Sequence, residues 1–520
     1  MNKKNIIALA VLAGLVVILL AVMIFMSSSF FKEKKEEEVV PTDDINFVLD
    51  GERIYKKDLA RSDVAKIFVH NPDGEFAFVR NNEGEFVIEG MEELAYNETL
   101  FAALFTVTCN PRSMTTVVND ASGYDEYGIT DSDTYWEVTA VNGEVYRMTV
   151  GHMLHTGGGY YVSYADRDAV YVIGGGGEMF AQVLELEEKE ATSVDITVRK
   201  TIEFFVSPML IAGIDSNDFY LMKDFSILRD GEVFISTEIV DKEEQLNPNA
   251  IVENRLVYPA KYYTNDDNYY EVLQNLAALT GVSTVKAGVE DKDLEEFGLA
   301  KPAYSIHFKY NDLNYMIMAS EMQEDGSYYA YSTFNPNIIA KVSAEKLGFL
   351  EEDLIYWISP QPFNRNITDI SKISVSGKGT DLVFYLGHGI DSKGNATLVV
   401  DAQNKLTGEA INIATANHVW DFRSAYRTVL YTNIEEEVPL TAEEKAALTA
   451  DKENLILTFE FTLKNGEVET LQFWQYSTRR TLLTINGKGD YYVYLDRANK
   501  ILSDFGKVWR GEVVDSHAKN

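Results

Sequence analysis

Apolar and polar positions follow one another in three different ways along this chain, and each predicts a different element. From Ile6 to Met26 no charge interrupts the apolar run. At 1.5 Å per residue it would make a helix of roughly 31 Å, about the thickness of a bilayer's hydrocarbon core. This predicts a membrane-spanning helix over 6–27, its apolar surface carried by residues such as Ile6, Leu12, Val17, Leu20, Ile24 and Met26. The run exceeds the roughly 7 to 15 apolar residues of a signal peptide, so the helix is expected to stay uncleaved. Residues 1–5 form a short tail carrying Lys3 and Lys4, and 28–45 a charged linker.

Beyond the linker the pattern turns to strict alternation. Val64 to Val69, and Phe76 to Arg80 followed by Gly84 to Ile88, read as half-buried strands. Helical spacing then interrupts. Asn97 to Thr108 places Leu100, Phe101, Leu104 and Phe105 on one side, Tyr269 to Leu279 does the same with Tyr269, Val272, Leu273 and Leu276, and a third helix is expected around Trp420 to Leu430.

A short aromatic strand recurs three times: Gly159 to Tyr164 with Tyr160 and Tyr161, Ser327 to Tyr331 with Tyr328 and Tyr329, and Asp490 to Tyr494 with Tyr491 and Tyr492. Each follows glycine, as a hairpin strand does. Ahead of the first two stands an aromatic-Gly-aliphatic turn, Tyr127-Gly128-Ile129 and Phe297-Gly298-Leu299. Its glycine suits a left-handed helix terminus. Further strands follow at Ala169 to Ile173 and Ile338 to Val342, and a closing helix at Glu178 to Glu187. The third copy opens at Ile370 to Val375 and runs on to Ile501 and Phe505.

The expected fold class is therefore α+β: an N-terminal transmembrane helix, then about three repeated domains of antiparallel sheet with packed helices. Boundaries are expected near 190 and 362, giving units over 46–190, 191–362 (ending at the joint Ser359-Pro360-Gln361-Pro362) and a divergent 363–512, with 513–520 as a tail.

This order of elements resembles the bacterial domain-of-unknown-function family 4340 (DUF4340), well in the first unit, fairly in the second, and loosely in the third. The resemblance implies a membrane-anchored extracytoplasmic auxiliary subunit, partnered by components of an ABC-transporter of the gliding-motility type. It carries no catalytic residues onto this chain.

Composition narrows the partners. The net charge of −35 excludes nucleic acid, whose binding needs Lys and Arg on phosphates. It also disfavours a body lying on anionic lipid. Cys109 is the only cysteine, which suits an oxidising, extracytoplasmic location for the soluble body. The bilayer is contacted through the N-terminal helix.

Candidate chemistry is sparse. His152 and His155 are three apart, a helical zinc spacing, but their Gly-rich surroundings predict a loop. His388 and His418 are isolated. Gly174 to Gly177 is followed by Glu178-Met179 where a phosphate loop needs Lys-Ser or Lys-Thr. Acidic pairs at Asp131/Asp133, Asp215/Asp218 and Asp266/Asp267, and the run Glu435 to Glu437, fit no calcium-loop pattern. No cofactor, no metal and no catalysis are expected. The functional expectation is a non-enzymatic partner-binding protein, with envelope-glycan binding as the alternative and a hydrolase third.

Overall fold

The computed structural model describes residues 47, 49–120, 123–183, 191–215, 217–242, 245, 251–361, 363–390, 392, 396–413 and 415–515. The predicted membrane helix over 6–27 and its linker lie outside the described residues. Among those described, no helix is long and apolar enough to cross a membrane.

The chain divides into two units: residues up to Ser207 together with Ser283–Gly288, and Pro208–Val282 together with the rest from Val289. In the first, β1 (Val64–Asn71), β2 (Gly74–Arg80) and β3 (Phe86–Ile88) form a meander. The helix α1 (Glu98–Cys109) follows, then β4 (Thr115–Asn119), β5 (Thr134–Ala140), β6 (Val145–Met153), β7 (Tyr160–Tyr164) and β8 (Ala169–Ile173). Across the sheet the order is β3-β2-β1-β5-β6-β7-β8-β4. The meander therefore runs outward from β1; after α1 the chain first lays β4 at the far edge, then returns to β1's free edge with β5 and runs outward to β8, which pairs with β4.

The same split meander recurs twice in the second unit. Its first sheet contains β9 (Lys223–Arg229), β10 (Glu232–Ile239), β11 (Asn254–Tyr258), β12 (Tyr262–Tyr263), α2 (Asp266–Ala277) as crossover, then β13 (Tyr304–Tyr310), β14 (Leu313–Ala319), β15 (Ser327–Ser332) and β16 (Ile338–Ser343). Within the unit these lie in the order β12-β11-β10-β9-β13-β14-β15-β16. Its other sheet has β17 (Ile370–Gly377), β18 (Thr380–Ile390), β19 (Ala396–Asn404) and β20 (Ala410–Ile413). Crossover helices α3 (Ala416–Leu430) and α4 (Ala442–Ala450) lead to β21 (Leu455–Leu463), β22 (Val468–Gln475), β23 (Arg480–Ile485), β24 (Tyr492–Tyr494) and α5 (Leu495–Arg510). The order is β20-β19-β18-β17-β21-β22-β23-β24.

This corrects the expected fold class. Instead of an α+β fold, the described residues are mostly antiparallel sheet, with 39% strand against 24% helix. The reason is physical. Period-two alternation continues through long strands such as β18 and β21, while the predicted helices are single crossovers of three to four turns. The closing helix expected to Glu187 is described only over Gly177–Val183.

Each sheet buries one face against its helix. In β5 the residues Thr134, Trp136, Val138 and Ala140 are buried while their neighbours are half-exposed. Trp136 Nε1 donates to the Thr108 carbonyl oxygen at 3.0 Å, and the Tyr55 hydroxyl donates to the same oxygen at 3.0 Å. This ties the end of α1 to the sheet and satisfies buried polar atoms. Asn97 starts α1 by accepting from the backbone N–H of Thr99 and Leu100. Cys109, its last residue, is fully buried, and burial pushes its thiol pKa up. We expect no reaction of the native chain with a thiol reagent at pH 8, and one labelled thiol after denaturation, counted by mass spectrometry. Labelling of the native chain would mean that this end of α1 opens.

Candidate functional site

The recurring Tyr-Tyr and aromatic-Gly motifs are brought together as packing. Tyr160 and Tyr328 are buried, and the second ring of each pair meets the turn motif of its own copy. Tyr161 lies 5.0 Å from Tyr127, and Tyr329 lies 4.9 Å from Phe297. Gly128 and Gly298 follow those aromatics with φ of 67° and 72°, a left-handed conformation that favours glycine. A Cβ on Gly128 would also stand 2.3 Å from the His152 ring. In the third copy Tyr491 and Tyr492 are both buried, and Tyr491 faces Tyr262 at 6.2 Å. These motifs hold turns against strands and leave no exposed row of aromatics.

The other sequence candidates stay apart. His152 is the penultimate residue of β6 and His155 lies in the turn beyond it, both exposed. The His388 Nε2 is 2.8 Å from the Ile370 carbonyl oxygen. Among the described residues no group of three His, Cys, Asp or Glu is placed to hold a metal.

What the sequence did not single out is a cleft of about 1030 Å³ within the second unit, between its two sheets. One wall is α3. Trp420, Arg423 and Arg427 line it, at positions i, i+3 and i+7 of a single helical stripe. Trp420 is 59% exposed, and the Arg427 guanidinium sits 4.9 Å from its ring centroid. Arg427 Nη2 also donates to Ser424 Oγ at 3.2 Å. Among the described residues neither Arg423 nor Arg427 has a carboxylate partner.

The third arginine of the cleft differs. Arg365 Nε donates to Glu469 Oε2 at 3.2 Å and its Nη2 to Oε1, a paired fork. Burial works against the charge of Arg365, but the hydrogen bonds and attraction of Glu469 outweigh it, and the guanidinium pKa is raised. Tyr426, one residue before Arg427, is buried and donates to the Arg365 carbonyl oxygen at 2.6 Å. Burial raises the Tyr426 and Tyr263 hydroxyls, so both remain neutral donors.

Facing α3 is a wall built from the start of β11 and of α2. It carries Glu253, Asp266 and Asp267 with Asn254 and Asn265. Thr264 Oγ1 donates to Asp266 Oδ1 at 2.7 Å. Surrounding protein raises the Asp266 carboxyl, the Thr264 hydrogen bond opposes this, and the charge of Glu253 adds to the rise. The Asn265 side chain makes no capping bond to α2, and among the described residues the buried Asn254 amide has only the nearby Tyr270 hydroxyl to interact with.

The cleft thus presents free positive charge and an aromatic ring on one side, and hydrogen-bond acceptors with side-chain amides on the other. Helical spacing of Trp420, Arg423 and Arg427 was the available signal. On an unpartnered sequence, such a stripe reads as an ordinary solvated face. The chain matches no protein-family model and no curated protein.

Proposed function

We propose that this chain is a non-enzymatic, membrane-anchored binding module of the bacterial envelope, which takes an anionic ligand or partner segment into the cleft of its second unit. The observation that carries the reading is the pair Arg423 and Arg427, unpaired with any carboxylate among the described residues, in a chain whose net charge is −35. Where acids outnumber bases this strongly, arginines left unpaired inside a concave polar site are available to an acidic ligand. The apolar run over 6–27 supports the anchor, and the family resemblance supports an extracytoplasmic auxiliary role beside transporter subunits.

The test is retention of the full-length, detergent-solubilised chain on purified envelope fractions and on co-solubilised membrane proteins. The Arg423→Ala/Arg427→Ala variant is expected to lose about tenfold or more of that binding, since each charged hydrogen bond contributes roughly 1.5–3 kcal/mol. Equal retention of both proteins sinks the proposal.

One observation favours a hydrolase as the second reading: Asp266 and Glu253 line the same cleft, and burial, with a smaller contribution from the charge of Glu253, raises the Asp266 carboxyl. Asp266→Asn separates the two. Under the binding reading it leaves no product to lose. A slow release of product that Asp266→Asn abolishes would establish the hydrolase.

A further inference from the structure

We infer that the cleft's ligand is an acidic sugar chain, with Trp420 taking a sugar-ring face and Arg423 and Arg427 taking its carboxylate. This rests on the reading that the cleft binds an anionic ligand, and it goes further by naming the ligand's chemical class.

Three features of the cleft select that class. The first is the aromatic platform. Trp420 leaves most of its surface in solvent although indole is among the costliest groups to expose, and the Arg427 guanidinium stands over the ring. An indole face fits the axial C–H surface of a pyranose by apolar contact, while its N–H keeps a polar handle.

The second is the distribution of charge. Arg365 is committed to Glu469, so the free positive charge is confined to the α3 stripe, within one helical turn between Arg423 and Arg427. The facing wall is acidic, with Glu253, Asp266 and Asp267. A polyphosphate or a dense row of carboxylates would meet that wall and be repelled. A ligand with one carboxylate per residue can put it on the arginines and present something else opposite.

The third is what the facing wall can receive. Carboxylates accept hydrogen bonds and amides both accept and donate. Asn265 has no capping duty and the carboxylates are acceptors, so this wall is matched to hydroxyl groups, which donate and accept at the same atom. A sugar acid supplies hydroxyls, one carboxylate and an apolar ring face in one unit. A cleft of about 1030 Å³ exceeds the usual range for a drug-sized ligand, roughly 300–1,000 Å³, and accommodates more than one such ring. A peptide segment would need main-chain partners, and the wall of the cleft formed by α3 has its backbone bonded internally.

The experiment uses the full-length chain in detergent and isothermal titration calorimetry with four probes: trigalacturonic acid, the neutral galactose trimer, a tri-glutamate peptide, and inorganic phosphate. Expected is binding of trigalacturonic acid, with the neutral trimer at least tenfold weaker. Arg423→Ala and Arg427→Ala should each lose about tenfold, and Arg423→Lys less than Arg423→Ala, because a lysine keeps the charge and loses the fork. Trp420→Ala should weaken trigalacturonic acid but leave any residual phosphate binding unchanged. All four variants lie on a half-exposed helix face, and unchanged circular dichroism will show that they fold.

Tri-glutamate binding that depends on Arg423 and exceeds trigalacturonic acid would overturn the sugar class while leaving the anionic-ligand reading standing. No binding of any acidic probe would overturn both. Trigalacturonic acid binding that survives Arg423→Ala and Trp420→Ala would move the ligand out of this cleft and overturn the inference.

Discussion

Replacing Phe505 by alanine is expected to lower the stability of the third sheet by about 3–5 kcal/mol, the range for deleting a fully buried aromatic. Phe505 is 0% exposed on α5 and meets Phe384 of β18 at 5.3 Å, Phe459 of β21 at 5.2 Å and Phe422 of α3 at 5.9 Å. It therefore joins both halves of the split meander and the crossover helix at one point. The loss should appear as a lower urea midpoint for the second unit, and as faster hydrogen exchange in β17 and β21 than in the first unit. Phe505→Leu, which refills most of the volume, should recover more than half of the loss. A midpoint that does not move would show that α5 is held by its other contacts, among them Asp504, which accepts from Thr428 Oγ1 at 2.8 Å and from Lys500 Nζ at 2.7 Å.

The second large effect is expected at Gly377, the last residue of β17. Its φ of 152° lies in the region that favours glycine, and an added Cβ would stand 2.1 Å from the Ile456 carbonyl oxygen, a backbone atom that cannot rotate away. Strain at an unfavourable φ costs about 1–3 kcal/mol, and the steric contact adds to it. Gly377→Ala should cost about 3 kcal/mol or more, and should do so by disturbing the edge-to-edge contact between β17 and β21. Hydrogen exchange read strand by strand tests this: the β17–β21 amides should lose protection before those of β22 and β23. Protection lost evenly over the whole sheet would mean that the sheet opens as one body.

How much of this was legible in the sequence depends on how local the determinant is. Alternation located β1, β2, β7, β15 and β17, because a half-buried strand needs only its own residues to show a face. Helical spacing located α1, α2 and α3 within a few residues of their ends. The Tyr pairs and the aromatic-Gly turns were visible as recurrences, but their reason was not: Tyr161 meets Tyr127, and Tyr329 meets Phe297, across a distance in sequence that no periodicity reports. The balance of sheet over helix was misjudged for a related reason. Apolar stripes such as those of α1 and α3 advertise a helix strongly, whereas strands such as β22 and β23, paired to neighbours, carry mixed faces that resemble loops.

The cleft was the least legible feature. Asp266 and Asp267 stood out only as one acidic pair among several, and Arg423 and Arg427 did not stand out at all. Charge becomes informative when its partners are known, and those partners come from a fold in which Glu469 takes Arg365 and leaves the α3 stripe free.

The split meander also has a consequence in time. In each sheet most pairings join strands near in sequence, and the central seam does not: β1 with β5, β9 with β13, β17 with β21. A ribosome adding roughly 5–20 residues per second needs roughly two to eight seconds to travel from Ile413 to Leu455. For that interval the hairpins of β17 to β20 exist with the edge of β17 unpaired, and an unpaired apolar edge is where chains join wrongly. The crossover α3, which forms a wall of the cleft, is synthesised within that window, ahead of the strand that closes the edge.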